Sequence, residues 1–391
     1  MKKKMLFKKD IDIFGSTLDK YKCCFTKPQW NHFTTYITGL FLGEKGEKNI
    51  QDIAENLLDG KDQSSLNRFI TRPCWDIRLF NALRLRESVD ERDGGILSLD
   101  DTLIKKTGKM MDGVGYLYDH SQKRKVLCHD VVSTFYRTST SQLPLYFEPY
   151  VKKEIAESCG IWFHTKIQIA VDLIKKSLTQ INPLAVVFDE WYMCHELLDF
   201  LNSHGLTWVS QAKSNRCIQI GDAWVGITRY AKTLSHQMFK RINAEIEEKK
   251  YRWFFETMVM MKNVGLVKMV VLKRRKNSKK CKFLVSNNMD LSSLKVLEYY
   301  KKRWCIEVFH RDCKQHLGLG EYQVRKLDAV VIHLHLVFFA YTLLKNARSN
   351  PFLCTILGGM KSIGSACKRL KCWMLDKLRG QKRFLPYGDV S

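Results

Sequence analysis

The stretch LAVVFD at residues 184–189 constrains the fold more tightly than any other part of the chain. An unbroken apolar run of this length, without polar alternation, describes a strand covered on both faces, the habit of strands inside an α/β sheet. Helical periodicity flanks it, with AVDLIKKSLTQ at 170–180 and CHELLDFLNSHG at 194–205. Upstream, GILSLDDTLI, VGYLYDH and KVLCHDVVSTF read as strands. A strand meander followed by strands alternating with helices predicts a mixed sheet of the α/β class.

Residues 1–90 read as a helical domain. NIQDIAENLL at 49–58 and QSSLNRFI at 63–70 are joined by a DGKD turn. The pair is either an ordinary helical hairpin or a helix-turn-helix presenting Gln63, Ser64, Asn67 and Arg68 to DNA. ESVDERDGG at 87–95 suits a linker into the first part of the core, 91–213. Between 214 and 290 the runs RWFFETMVMM, VGLVKMVVL and KCKFLVSNN predict a β-rich insertion, whose KRRKNSKK turn is a solvated hairpin tip or a phosphate contact. Residues 291–345 return to helix and complete the core, and 346–391 form a basic helical tail.

A formal net charge of +25 on 391 residues makes an extended polyanion the expected partner, and a 45% hydrophobic, 12% aromatic composition excludes a disordered chain. The 13 cysteines lack zinc-type spacing, so reduced core thiols of a cytoplasmic protein are expected. MKKKMLFKKDIDIFG lacks the apolar segment of a secretory signal. AVVIHLHLVFFAYTLL at 329–344 contains His333 and His335 and reads as a buried helix, not a membrane span.

Three acids stand out. Within GILSLDDTLI, strand alternation puts Asp100 with Ser98 and Thr102, and Asp101 with Leu97, Leu99 and Leu103. A carboxylate on an apolar face needs a partner that offsets its desolvation, such as a metal ion; otherwise it accepts turn hydrogen bonds at a strand end. Asp189 ends LAVVFD, where sites gather in open α/β sheets, or it caps a helix beginning near Met193. Glu307 lies in YYKKRWCIEVFHRDCK at 299–314. On one continuous helix Tyr300, Arg303, Glu307 and Lys314 fall within about 60° of arc, with Arg311 beside them. That stripe is a salt-bridged surface or the edge of a site. Three carboxylates with neighbouring bases suit a two-metal phosphoryl-transfer site, and oxygen donors select Mg²⁺ or Mn²⁺.

The spacing Tyr300-x2-Arg303-x3-Glu307-x6-Lys314 resembles the Y-R-E-K signature of DDE insertion-sequence transposases. An Asp-Thr pair at Asp101 and Thr102 and an apolar strand ending at Asp189 precede it in the family's order, at intervals of 189 − 101 = 88 and 307 − 189 = 118 residues. YDHSQKRKVLCHDVV and SSLNRFITRPCWD are also similar to family stretches. The resemblance implies a ribonuclease H-like core and two ions on Asp101, Asp189 and Glu307. It further implies phosphate contacts from Tyr300, Arg303 and Lys314, and stacking by Trp304. The implied activity is cut-and-paste transposition on double-stranded DNA, terminal inverted repeats and target alike, by a homodimer in a synaptic complex. A ribonuclease H-like nuclease, or a DNA-binding descendant with a decayed site, are the alternatives.

Overall fold

The computed structural model describes residues 13–56, 63–86, 88, 94–347, 351–359 and 362–379. The turn at 59–62, most of the 87–95 linker and the tail beyond 379 lie outside them. In chain order, a 3₁₀ segment at Gly15–Cys24 precedes helices α1 (Lys27–Leu42), α2 (Ile50–Glu55), α3 (Gln63–Thr71) and α4 (Ile77–Arg86). Strands β1 (Ile96–Lys105), β2 (Gly115–Asp119), β3 (Arg124–Arg137) and β4 (Gln142–Tyr150) follow. Next come α5 (Lys153–Cys159), α6 (Lys166–Leu178), β5 (Ala185–Phe188), α7 (His195–Ser203) and β6 (Trp208–Gln211). The β-rich stretch holds β7 (Cys217–Ile220), β8 (Ala223–Gly226), α8 (Ile227–Thr233), β9 (Lys240–Ile246), β10 (Lys249–Met261), β11 (Gly265–Lys273) and β12 (Cys281–Ser286). The last helices are α9 (Ser293–Lys302), α10 (Trp304–His316), α11 (Leu327–Lys345), α12 (Pro351–Leu357) and α13 (Ile363–Leu378).

Two compact units share these elements. One unit takes Met1–Ser88, Ile104–Cys128 and His310–Ser391; the other takes Val89–Leu103 and His129–Phe309.

The first unit is built around α11. Its length and hydropathy would suit a bilayer, yet 72% of its most apolar window is buried, so it is a core helix, as the paired histidines predict. Phe339 meets Tyr21 and Phe80 at 4.9 Å each, and Phe80 meets Phe33 at 5.5 Å. His333 sits inside this packing, its Nε2 3.0 Å from the Gly318 carbonyl and its Nδ1 2.7 Å from the Tyr36 hydroxyl. A carbonyl can only accept, so Nε2 carries the proton and Nδ1 accepts from Tyr36.

In the second unit the strand order is β4-β3-β1-β5-β6, with β4 antiparallel to β3 and with β5 parallel to β1 and to β6. This is a ribonuclease H-like α/β core. β12 pairs antiparallel with β6, so β12, β11 and β10 of the β-rich stretch continue the core sheet. One face of the sheet carries Ile96, Ala185, Val187 and Val209, which pack with Val296 and Leu297 of α9. Alternation then sends Val186 and Phe188 to the opposite face, and all four residues of β5 are buried as LAVVFD requires.

All 13 cysteines are free, but Cys23, Cys74, Cys159, Cys354 and Cys372 are exposed, so the expectation of core thiols holds only for part of the set. Cys128 and Cys313 are among those buried.

Candidate active site

The parallel register of β1 and β5 pairs Ile96 with Ala185 and Ser98 with Val187. Continued by two residues, it sets Asp100 beside Asp189, both on the face covered by α9. Asp101, one residue on, turns to the other face. Adjacent strand residues thus divide between two environments, as the alternation in GILSLDDTLI predicts.

The α9-side environment centres on Arg303. The sequence suggests one helix through 299–314, but α9 ends at Lys302 and α10 begins at Trp304. Between them the Arg303 amide donates to the Tyr300 carbonyl at 3.0 Å and the Ile306 amide to the Arg303 carbonyl at 3.1 Å, bonds that tighten the chain locally. Tyr300 and Arg303 are therefore not at a surface margin; they are only 2% and 6% exposed. The Arg303 guanidinium donates to Asp100 Oδ2 at 3.1 Å, to Glu247 Oε1 at 3.1 Å and to Glu307 Oε1. Such a buried cation is tolerable because several carboxylates satisfy its fork.

Burial raises the carboxyl of Asp100 well above its ordinary range, against the pull of Arg303 and with Asp101, Asp189 and Glu307 adding repulsion. Asp189 is raised by burial although the Trp191 amide donates to it at 2.9 Å and the Tyr192 amide at 3.4 Å. Those donors belong to the turn after β5, while α7 starts later with Cys194 as its N-cap. Asp189 hence holds a turn and does not cap the following helix. Glu307 is raised by burial too, against Arg303.

On the opposite face Asp101 accepts from Lys166 Nζ at 3.0 Å and from the Tyr192 hydroxyl at 2.9 Å. Lys166, the first residue of α6, also pairs with the fully buried Asp130 of β3. Burial opposes ionisation of Asp101, but Lys166 and Tyr192 outweigh it and hold its pKa below the usual value. Asp130 is pushed up by burial and by its neighbour Asp101.

The geometry therefore brings Asp100, Asp189, Glu307, Arg303 and Tyr300 together, with Asp101 close enough to raise Asp189. Trp304 is half-buried in this unit. Arg311 and Lys314 lie further along α10, past Phe309, among residues of the other unit. Sequence reasoning missed Asp130, Lys166, Tyr192, Glu247 and Lys282. Strand alternation sets Asp100 with Ser98 and Thr102 and gives it no role, and the Asp doublet is the signal that each face of β1 carries an acid. No local pattern marks Glu247, which reaches Arg303 through pairing of β9 with β10.

The donors are hard carboxylate oxygens that raise one another's pKa, which fits a divalent cation of the Mg²⁺ or Mn²⁺ kind. Among the described residues no three His, Cys, Asp or Glu side chains stand at metal-holding separations. The Arg303 guanidinium bridges Asp100 and Glu307 instead.

Residues 20–233 match the family model described as DDE superfamily endonuclease, more than half of the chain, and the protein belongs to that family. Residues 165–343 match the model described as Transposase DDE domain. No curated protein matches the chain. Among solved structures, a cryo-EM piggyBac transposase synaptic complex with hairpin DNA is 10% identical, covering 92% of this chain and 77% of its own at a TM-score of 0.48. The NurA nuclease from Sulfolobus solfataricus is 7% identical, covering 83% of this chain and 100% of its own at a TM-score of 0.26. Both scores are low, and the fold class rests on strand order and direction.

Proposed function

We propose that this protein is a transposase that binds the ends of a mobile insertion element and catalyses metal-dependent cleavage and strand transfer of double-stranded DNA. The observation that carries the reading is the convergence of Asp100 and Glu307 on Arg303, with Asp189 beside Asp100 at the carboxyl end of β5, in a chain of the DDE family. Asp100, Asp101, Asp189 and Glu307 are the residues that would hold two Mg²⁺ or Mn²⁺ ions. Such ions activate the attacking oxygen and offset charge on the leaving one. Arg303 and the Tyr300 hydroxyl orient the scissile phosphate, and the half-buried Trp304 offers a ring for stacking. Lys314 and Arg311, which belong to the other unit, are further candidate phosphate contacts. Lys166 keeps Asp101 ionised and aimed, with Asp130 sharing its charge. Synapsis of two element ends calls for a homodimer acting in the cytoplasm on the nucleoid.

The test is an assay with precleaved 3′-hydroxyl ends and Mg²⁺ on a plasmid target. Joined product supports the transposase. Nicking of the plasmid without joining replaces it with a nuclease of the same fold, and binding without either reaction replaces it with a decayed descendant.

A further inference from the structure

The β9–β10 hairpin closes on Glu247 and Glu248, both with positive φ, 50° and 60°. Two-residue hairpins of this kind favour Asn-Gly, because a β-carbon resists the left-handed region. Strain kept at a site is a pointer to function, and here its two side chains diverge. Glu248 is exposed, while Glu247 turns inward. Its Oε2 accepts from Lys282 Nζ at 2.8 Å, and its Oε1 accepts from Arg303 at 3.1 Å and lies 3.5 Å from the Tyr300 hydroxyl.

The seat around this carboxylate is cationic and preorganised. The Lys282 side chain is 9% exposed and that of Arg303 is 7%. Both cations lie over the Tyr300 ring, at 5.1 Å and 5.5 Å from its centroid. A guanidinium fork, an ammonium and a hydroxyl converging on one point match the oxygens of a phosphodiester as well as they match a carboxylate. Beside the seat is an open cleft of about 660 Å³, lined by Glu247 and Lys282 together with Lys213, Asn215, Lys249 and Tyr251.

We infer that Arg303, Lys282 and the Tyr300 hydroxyl form one subsite for a DNA backbone phosphate, and that Glu247 fills it in the DNA-free protein as an internal surrogate. This rests on the proposed function for its substrate class, and it adds Lys282 and Glu247, to which the transposase signature gives no role. Two cations buried without an anion would be costly, so the hairpin tip supplies one until DNA replaces it. Glu247 then competes with substrate, lowering apparent affinity by the fraction of molecules in which it is seated.

Binding of a labelled random-sequence duplex to the full chain, followed by fluorescence anisotropy without divalent metal, tests the subsite. Glu247→Gln should bind roughly tenfold tighter than wild type, the competing charge being gone. Glu247→Gly relieves the left-handed turn, which offsets part of the cost of leaving Lys282 and Arg303 without that carboxylate, and it should show the same gain. The gain should vanish in Glu247→Gln/Lys282→Met. Unchanged or weaker binding by both Glu247 variants, with melting temperatures preserved, overturns the inference. Cleavage with Mg²⁺ on the same samples separates the two readings. A wild type that cuts while the variants gain nothing removes the subsite alone; variants that gain affinity in a protein that never cuts remove the nuclease chemistry alone.

Discussion

Replacing Arg303 by methionine should leave Asp100 stranded. The substitution keeps the apolar stem of the side chain and removes a guanidinium that bonds Asp100, Glu247 and Glu307. Glu247 retains Lys282 at 2.8 Å, and the Glu307 side chain is 33% exposed and partly solvated. Among the described residues no cation other than Arg303 pairs with Asp100, whose side chain is 15% exposed. Removing one partner of a buried pair costs about 3–5 kcal/mol, and the solvent reaching Glu307 argues for the lower end. For a domain of this size about 3 kcal/mol is roughly 6–12 °C in melting temperature. The pH dependence has a definite sign. Asp100 is already raised in the folded state, and loss of Arg303 raises it further. Above the unfolded pKa of about 3.9 the folded state then holds the extra proton, so the variant loses stability as pH rises. Thermal unfolding of wild type and variant at pH 5 and pH 8 should give the smaller deficit at pH 5. A variant melting within about 1 °C of wild type, or a deficit that does not shrink in acid, would refute the central role of Arg303.

Asp189→Asn and Glu307→Gln should each lower DNA cleavage by about a thousandfold or more while duplex binding survives, and Asp100→Asn and Asp101→Asn should do the same; retained cleavage in any one removes that residue from the site. Lys166→Met should destabilise by about 3 kcal/mol by leaving Asp101 and Asp130 face to face, and Asp130→Asn in the same chain should recover part of it, as read in a urea-denaturation cycle. Burial, with Lys106 adding repulsion, pushes His333 down to about 3. Its contribution is therefore complete above the unfolded pKa of about 6.5 and is lost as pH falls towards 3, at up to about 1.4 kcal/mol per unit. His333→Phe should flatten the stability-versus-pH curve between those limits, and an unchanged slope would count against a neutral buried imidazole.

What the sequence discloses depends on whether a feature is local. LAVVFD is a covered strand because apolar continuity is a property of six neighbouring residues, and α11 is a core helix for the same reason. The alternation in GILSLDDTLI already separates Asp100 from Asp101. Which of the two meets Arg303 depends on the face α9 covers, and that follows from packing of Val296 and Leu297 on Ile96 and Val187. The break at Arg303 was hidden for a related reason. Helical periodicity is continuous through 299–314, and only the demand of several carboxylates on one guanidinium accompanies the tightened turn. Glu247 could not be found from spacing, since a hairpin tip's target is set by strand register across β9, β10, β11 and β12.

Charge distribution ties these observations to the proposed chemistry. The chain carries +25 overall, a field that draws a polyanion from a distance. At the site itself the sign reverses: Asp100, Asp101, Asp130, Asp189, Glu247 and Glu307 outnumber Arg303, Lys166 and Lys282. A phosphodiester guided there by the surface would meet repulsion from carboxylates that burial first, and their neighbours' charge second, hold above the usual range. Two responses are available without moving the backbone of β1 or β5. Glu247 can leave with its hairpin tip, which vacates cations for the phosphate, and divalent ions can join the carboxylates, which cancels the remaining charge. The two should reinforce one another. Asp100 and Glu307 are among the residues that would hold a metal; bound there it would compete with Arg303 for both carboxylates and would leave the guanidinium fork to a phosphate. Duplex affinity should then rise on adding Ca²⁺ as a non-catalytic stand-in. The rise should be smaller in Glu247→Gln, where one of the coupled steps has already been taken. Equal increments in the two proteins would show that metal and Glu247 act independently.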